Sequence, residues 1–195
     1  VPMLPEVLSN GLCSLRPKEE KFTFSAVFVL DKNGTVYDEW YGRTVINSDY
    51  RFAYEEVQNI LENEAAHVDA SVSLTGKPYD IPESVFKAIN TLDSQAKKLR
   101  SQRMKEGAIS FDRVEVNFHL DDENNPESVY FKTSKDAHKL IEEFMLLANK
   151  KVAGFVNKIQ PTPPFVYRIH DNPDEQKLFN LKQTIAPFGY KFNPG

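Results

Sequence analysis

The chain has 195 residues, of which 41% are hydrophobic and 27% charged, with a formal net charge of −4. That length suffices for one domain with a sizeable core, or for part of a larger one, and the composition is that of an ordinary soluble globular chain. The acidic balance weighs against a stand-alone nucleic-acid binder, which usually carries a basic surplus, while leaving room for a local basic channel.

A single cysteine, Cys13, precludes an intrachain disulfide and fits a reducing compartment. With Leu12 and Leu15 around it, Cys13 is expected to be a buried, inert thiol. No signal peptide is found, and no apolar run approaches the ~18 residues that span a bilayer, so no membrane association and a cytoplasmic location are expected. The chain opens Val-Pro-Met-Leu-Pro and stops in the turn sequence Phe192-Asn193-Pro194-Gly195. Both ends are expected to be cuts from something longer.

Residues 1 to 20 read as a short prolyl turn or single helical turn followed by a loop, with Asn10-Gly11 and Arg16-Pro17 marking turns. Phe22 to Leu30 alternates at period two and predicts a strand. Asp31-Lys32-Asn33-Gly34 predicts a hairpin turn, because Asn-Gly accepts positive φ, and Thr35 to Asn47 is the return strand. Tyr54 to Glu64 predicts a helix with Val57, Ile60 and Leu61 on its buried side. Residues 65 to 81 read as mostly a polar surface loop. Pro82 opens a long helix to about Glu106, which Gly107 ends. Val114 to Leu120 and Ser128 to Lys132 form a second hairpin across the turn at 121–126. Prolines 161, 163 and 164 force an extended segment, Phe165 to His170 continues it as a strand or extended run, and Pro173 opens a last helix to about Ile185. Mixed helices and antiparallel hairpins in this order make the fold α+β.

The longest clean helix pattern is Ser134 to Ile159. Ser134 is the expected N-cap, and Asp136 suits the positive end of the helix dipole. Ala137, Leu140, Ile141, Phe144, Ala148, Val152, Phe155 and Ile159 share one broad face. Lys139, Glu143, Lys150 and Asn157 form the solvated stripe. His138, Glu142 and Asn149 fall on a third stripe, within roughly 40° of one another at about 100° per residue, among Met145, Leu146 and Val156. That stripe is either a half-exposed edge with internally satisfied polar groups or the seat of a carboxylate that needs a partner.

No glycine-rich phosphate loop, Cys/His metal cluster or Ser-His-Asp signature is present. The acidic pairs Glu19-Glu20, Glu55-Glu56 and Asp121-Asp122 read as solvated charges, and no set of carboxylates converges as a metal-dependent phosphodiesterase requires. Arg168 and His170, two apart on an extended segment, are either an anion-facing pair or a surface salt-bridge cluster.

The segment from Leu4 through Pro17, LPEVLSNGLCSLRP, resembles a signature of the RNB catalytic domain of the ribonuclease R / ribonuclease II family of 3′-to-5′ exoribonucleases. Further matches follow in the family's order. They are Arg51-Phe52-Ala53-Tyr54-Glu55-Glu56-Val57, Gly107-Ala108-Ile109-Ser110-Phe111, the helix from Asp136 to Asn149, and the segment from Pro164 to Pro173. The likeness covers essentially the whole chain and looks closest to the ribonuclease R branch. It implies that 1–195 is the central segment of an RNB catalytic domain, with the aspartate cluster that binds catalytic Mg²⁺ upstream and an arginine-rich motif downstream. The cofactor Mg²⁺ would then have its ligands outside this chain. Tyr54 would contact RNA near its 3′ end, Phe111 would stack on a base, and Glu142 would accept a hydrogen bond from a ribose 2′-OH, the group that separates RNA from DNA. Arg168 and His170 are further RNA-binding candidates, and His138 and Asn149 match the family too. On the residues alone, the alternatives are Tyr54 as a helix N-terminal packing residue, Phe111 as a core residue and Glu142 as an internally paired acid.

The implied function is part of an enzyme that hydrolyses single-stranded RNA to nucleoside monophosphates, with this chain inactive alone. The alternative is a non-catalytic RNB-like interaction or RNA-binding module. Apolar surface exposed by excision would favour self-association.

Overall fold

The computed structural model describes residues 3–109, 115–121 and 123–192. The chain divides into two compact units, Val1–Gly154 and Phe155–Gly195. In the first, a π-helical turn at Val7–Leu12 precedes β1 (Glu20–Leu30) and β2 (Val36–Asn47), a long antiparallel hairpin. The expected turn closes it. Asp31 N–H donates to the Thr35 carbonyl, and the Asp31 carboxylate accepts from the N–H groups of Asn33 and Thr35 at 2.7 and 2.9 Å. Those backbone donors, Thr35 first, hold its carboxyl below the usual carboxylate range.

One face of the hairpin carries Phe22 and Phe24, both exposed, the former 88%. The other carries a hydroxyl ladder, with Thr44 Oγ1 2.6 Å from both Thr23 Oγ1 and Ser25 Oγ. Next to it the Trp40 ring crosses Gly42 so closely that a Cβ there would force the indole to move.

The buried core lies behind the hairpin's successor elements. α1 (Tyr54–Asn63) supplies Ile60 and α2 (Glu83–Lys105) supplies Ile89. Val68 and Ile81 complete the cluster, with Phe52, Val57 and Leu61 packed around it. Val68 lies in β3 (His67–Val68), which pairs with β4 (Tyr79–Asp80). The segment at 65–81 is largely exposed turn, but not throughout: Val68 is fully buried and Ile81 nearly so. Its polar residues are spent on fixing it. Asn59 donates to Asp69 at 2.7 Å, and His67 Nδ1 lies 2.7 Å from Asp80 Oδ1.

Glu56, read as a solvated acid, is 2% exposed. Its burial is compensated by three donors: Ala53 N–H at 2.7 Å, Leu74 N–H at 3.0 Å and Tyr79 Oη at 3.1 Å. Burial first, then the neighbouring Glu56 charge, pushes the Tyr79 phenol up to about 12. A folded-state value above the ordinary one stabilises the fold below pH ~10, and that contribution fades as pH rises through about 12. Urea titrations of the unsubstituted chain are expected to show this alkaline loss, and Tyr79→Phe to remove it. An identical alkaline limb in the variant would show that Tyr79 is not its source.

α2 starts directly after Pro82 and stops as expected. Gly107 takes φ +97°, its N–H bonds the Met104 carbonyl, and Ala108 N–H bonds the Arg103 carbonyl. Gln95 and Lys98 of α2 donate to the carbonyls of Asp31 and Lys32, which docks the hairpin turn. β5 (Glu115–Leu120) and β6 (Pro126–Lys132) form the second hairpin, and Val116, Phe118, Val129 and Phe131 are all exposed on it.

α3 (Asp136–Lys158) begins later than a Ser134 cap would place it. The Lys135 carbonyl accepts its first bonds, and the free N–H of Ala137 is taken by Gln58 Oε1 of α1 at 3.0 Å. Cys13 is exposed, not buried, because Leu12 and Leu15 beside it are themselves exposed.

In the second unit, 161–174 forms neither helix nor strand. It leads into α4 (Glu175–Ile185), which is capped by the Asp174 carboxylate accepting from Lys177 N–H. No helix of the described residues is long and apolar enough to cross a membrane.

Candidate nucleic-acid interface

Tyr54 is the first residue of α1, whose start is locked by the Glu56–Ala53 bond. Its ring stacks on His138, in the first turn of α3, at 4.2 Å between centroids and 12° between planes. Tyr54 as a residue remains 41% exposed, so it is reachable by a further stacked group. The packing reading and the contact reading of Tyr54 thus coexist: it is braced by His138 and still reachable.

Glu142 stands four residues after His138, one turn along the same helix face. The structure therefore brings Tyr54 and Glu142 to the same edge of α3, with His138 between them. Beside this edge lies an apolar recess of about 420 Å³ lined by Tyr54, Val57, Leu92, Leu140 and Ile141.

Of the adjacent acids, Glu142 has a side chain 48% exposed, while Glu143 is 3% exposed. The solvated stripe expected through Glu143 is thus wrong at that position. Arg103, in the last turn of α2, is the cause. Its Nε donates to Glu143 Oε2 at 3.1 Å, and its Nη2 donates to Glu143 Oε1 and to Glu142 Oε1, the latter at 3.1 Å. These bonds to carboxylates, Glu143 first, push the guanidinium above its usual range. One arginine thereby neutralises a buried acid and holds an exposed one, leaving the other Glu142 oxygen for a donor from outside. Sequence reasoning did not single out Arg103. Its only signal was an arginine near a helix C-terminus, which the dipole alone explains.

Phe111 lies outside the described residues. Arg168 and His170 belong to the second unit, both exposed and outside any helix or strand, and neither forms an ion pair among the described residues. No group of three or more His, Cys, Asp or Glu side chains among the described residues is placed to hold a metal ion.

The model of the RNB domain matches residues 1–193. DIS3-like exonuclease 2 of Xenopus tropicalis is 34% identical over 194 residues, which cover 99% of this chain and 23% of that protein. Ribonuclease R of Vibrio parahaemolyticus is also 34% identical, over 100% of this chain and 22% of the relative. The chain thus spans less than a quarter of these relatives' length, and the two identities do not single out the ribonuclease R branch. The structure of Mycoplasma genitalium RNase R in complex with ribose methylated single-stranded RNA superposes with a TM-score of 0.81 at 28% identity, covering 99% of this chain and 28% of that one.

Proposed function

Because the chain belongs to the RNB domain family, we propose that it forms part of the RNA channel of a 3′-to-5′ exoribonuclease that hydrolyses single-stranded RNA to nucleoside monophosphates. The observation that carries this reading is the Tyr54–His138–Glu142 edge, a partly exposed tyrosine stacked on His138 and a half-exposed carboxylate one helical turn after that histidine, on a scaffold shared with a nuclease solved with single-stranded RNA. Tyr54 stacks on a base near the 3′ end, and Glu142 accepts the hydrogen bond of a ribose 2′-OH. Phe111, Arg168 and His170 are further contacts in the same reading. Mg²⁺ is the parent enzyme's cofactor in this reading, with its ligands outside this chain. The described residues do not fit such an ion, so the roles proposed for this chain are to bind and orient. A cytoplasmic location and a tendency to self-associate belong to the same proposal; the exposed apolar face of the β5–β6 hairpin supports the second.

The test measures binding of a single-stranded RNA and its 2′-deoxy counterpart. Glu142→Ala is expected to lower the ribo-over-deoxy preference while sparing DNA affinity. Tyr54→Ala is expected to weaken both by about 1–3 kcal/mol, the worth of one stacked base. An unchanged preference in Glu142→Ala removes that residue's role. With Mg²⁺ added, 5′-labelled RNA is expected to stay intact, and a ladder shortening from the 3′ end would overturn the assignment of the chemistry to residues outside the chain.

A further inference from the structure

Two segments of the first unit that no role above uses meet at a charged hollow. Pro17 bridges Ser48, and Lys18 N–H donates to the Ser48 carbonyl at 2.7 Å, which docks the stretch after Cys13 against the approach to α1. The hollow between them, about 440 Å³, is lined by Asn10, Ser14, Arg16, Pro17, Glu19 and Arg51. That volume lies within the ~300–1,000 Å³ of small-ligand sites.

Its charges are unbalanced. Glu19 is occupied by Lys21 Nζ at 2.8 Å and lies 3.8 Å from Arg16 Nη1. The Lys21 bond, ahead of the other causes, holds its carboxyl below the usual range. Arg16 is fixed by donating Nη2 to the Asn10 carbonyl. Arg51 is exposed and takes part in no ion pair among the described residues. Two arginines and one carboxylate thus line the hollow, and that carboxylate is already paired with Lys21 from outside it, on a chain whose net charge is −4. A planar guanidinium with no ion-pair partner among the described residues, lining the same hollow as a second one held in place, suits an oxyanion with several acceptors, phosphate above all.

We propose that this hollow binds a backbone phosphodiester of the RNA strand, with Arg51 as the donor that closes on it and Arg16 as the fixed one. The identity of the anion rests on the RNA reading given above; the anion site itself does not. Arg51 precedes Tyr54 by three residues through non-helical backbone that is extended at Ala53, so at most ~10 Å of chain separates them. A strand stacked on Tyr54 covers that distance within a few nucleotides.

The experiment follows the dissociation constant of a fluorescent single-stranded RNA across a series of potassium chloride concentrations. Arg51→Ala is expected to weaken binding roughly three- to tenfold at low salt and to make the slope of log K against log salt shallower by about 0.7, one phosphate's worth on a single strand. Arg51→Lys is expected to keep the slope. An unchanged slope in Arg51→Ala overturns the site. So does an equal loss from Lys77→Ala, an exposed lysine between β3 and β4, because that would make the effect one of bulk charge. If the unsubstituted chain binds no RNA, its role in the RNA channel falls, and inorganic phosphate alone then decides the hollow. A phosphate-dependent shift of the Arg51 Nε–H resonance sustains the anion site, and its absence overturns it.

Discussion

Glu56→Ala is expected to cost about 4 kcal/mol of unfolding free energy, the largest effect of any single side chain discussed. Both carboxylate oxygens act as acceptors, one for Ala53 N–H and the other for Leu74 N–H and Tyr79 Oη. Truncation leaves all three donors without their acceptor, and each buried unsatisfied group costs about 1–3 kcal/mol. Partial access of water to the surrounding segment keeps the total below the sum. Glu56→Gln is informative because it is isosteric. An amide turns one acceptor into a donor facing another donor, so it is expected to recover only part of the loss. Urea denaturation of the three proteins checks this, and a fully stable glutamine variant would mean that only one oxygen matters. The same acid fixes the start of α1, so Glu56→Ala is also expected to weaken whatever Tyr54 binds.

Arg103→Met is expected to cost about 3 kcal/mol. Methionine keeps much of the stem packing and removes the charge, leaving Glu143 buried with its partner gone. Removing one member of a buried ion pair typically costs about 3–5 kcal/mol, and the lower end applies because Arg103 is partly exposed. The double variant Arg103→Met, Glu143→Leu is expected to regain more than half of the loss, because no charge is then left buried. If the double variant is no more stable than Arg103→Met, the cost lies in packing and not in the orphaned carboxylate. Glu142 gives this substitution a functional side. Once Arg103 is gone no described residue holds its carboxylate in place, so the ribo-over-deoxy preference is expected to fall with stability in Arg103→Met and not to return in the double variant.

The first hairpin was legible because its evidence is local: Asn33-Gly34 dictates the turn, and alternation dictates the strands. Pro82 and Gly107 bounded α2 for the same reason. What escaped depends on partners distant in the chain. Glu143 sits on the polar stripe with Lys139 and Lys150 by periodicity, and only Arg103, forty residues earlier, makes its burial tolerable. Glu56 is indistinguishable from its neighbour Glu55 until Leu74 and Tyr79 are folded over it. Val68 and Ile81 lie in a stretch with no period to read. At the candidate interface, the family motifs named Tyr54 and Glu142, but the ring stack with His138 and the arginine that fixes Glu142 belong to tertiary structure alone. Arg16 and Arg51 fell inside recognised motifs without a role, and charge counted over the whole chain concealed the local excess they create.

The bond from Ala137 N–H to Gln58 Oε1 crosses 79 positions of sequence and finishes the first turn of α3. A helix that borrows its cap from another helix cannot fray at that end independently. The Ala137 amide opens to solvent only when α1 and α3 part, and Lys135 Nζ, paired with Glu62 at 3.0 Å, parts with them. His138 and Tyr54 lie on the same seam. The ring pair is therefore tied to a concerted opening of two helices and not to the motion of either side chain, so any ligand that stacks on Tyr54 also acts on the cooperativity of the whole α1–α3 contact.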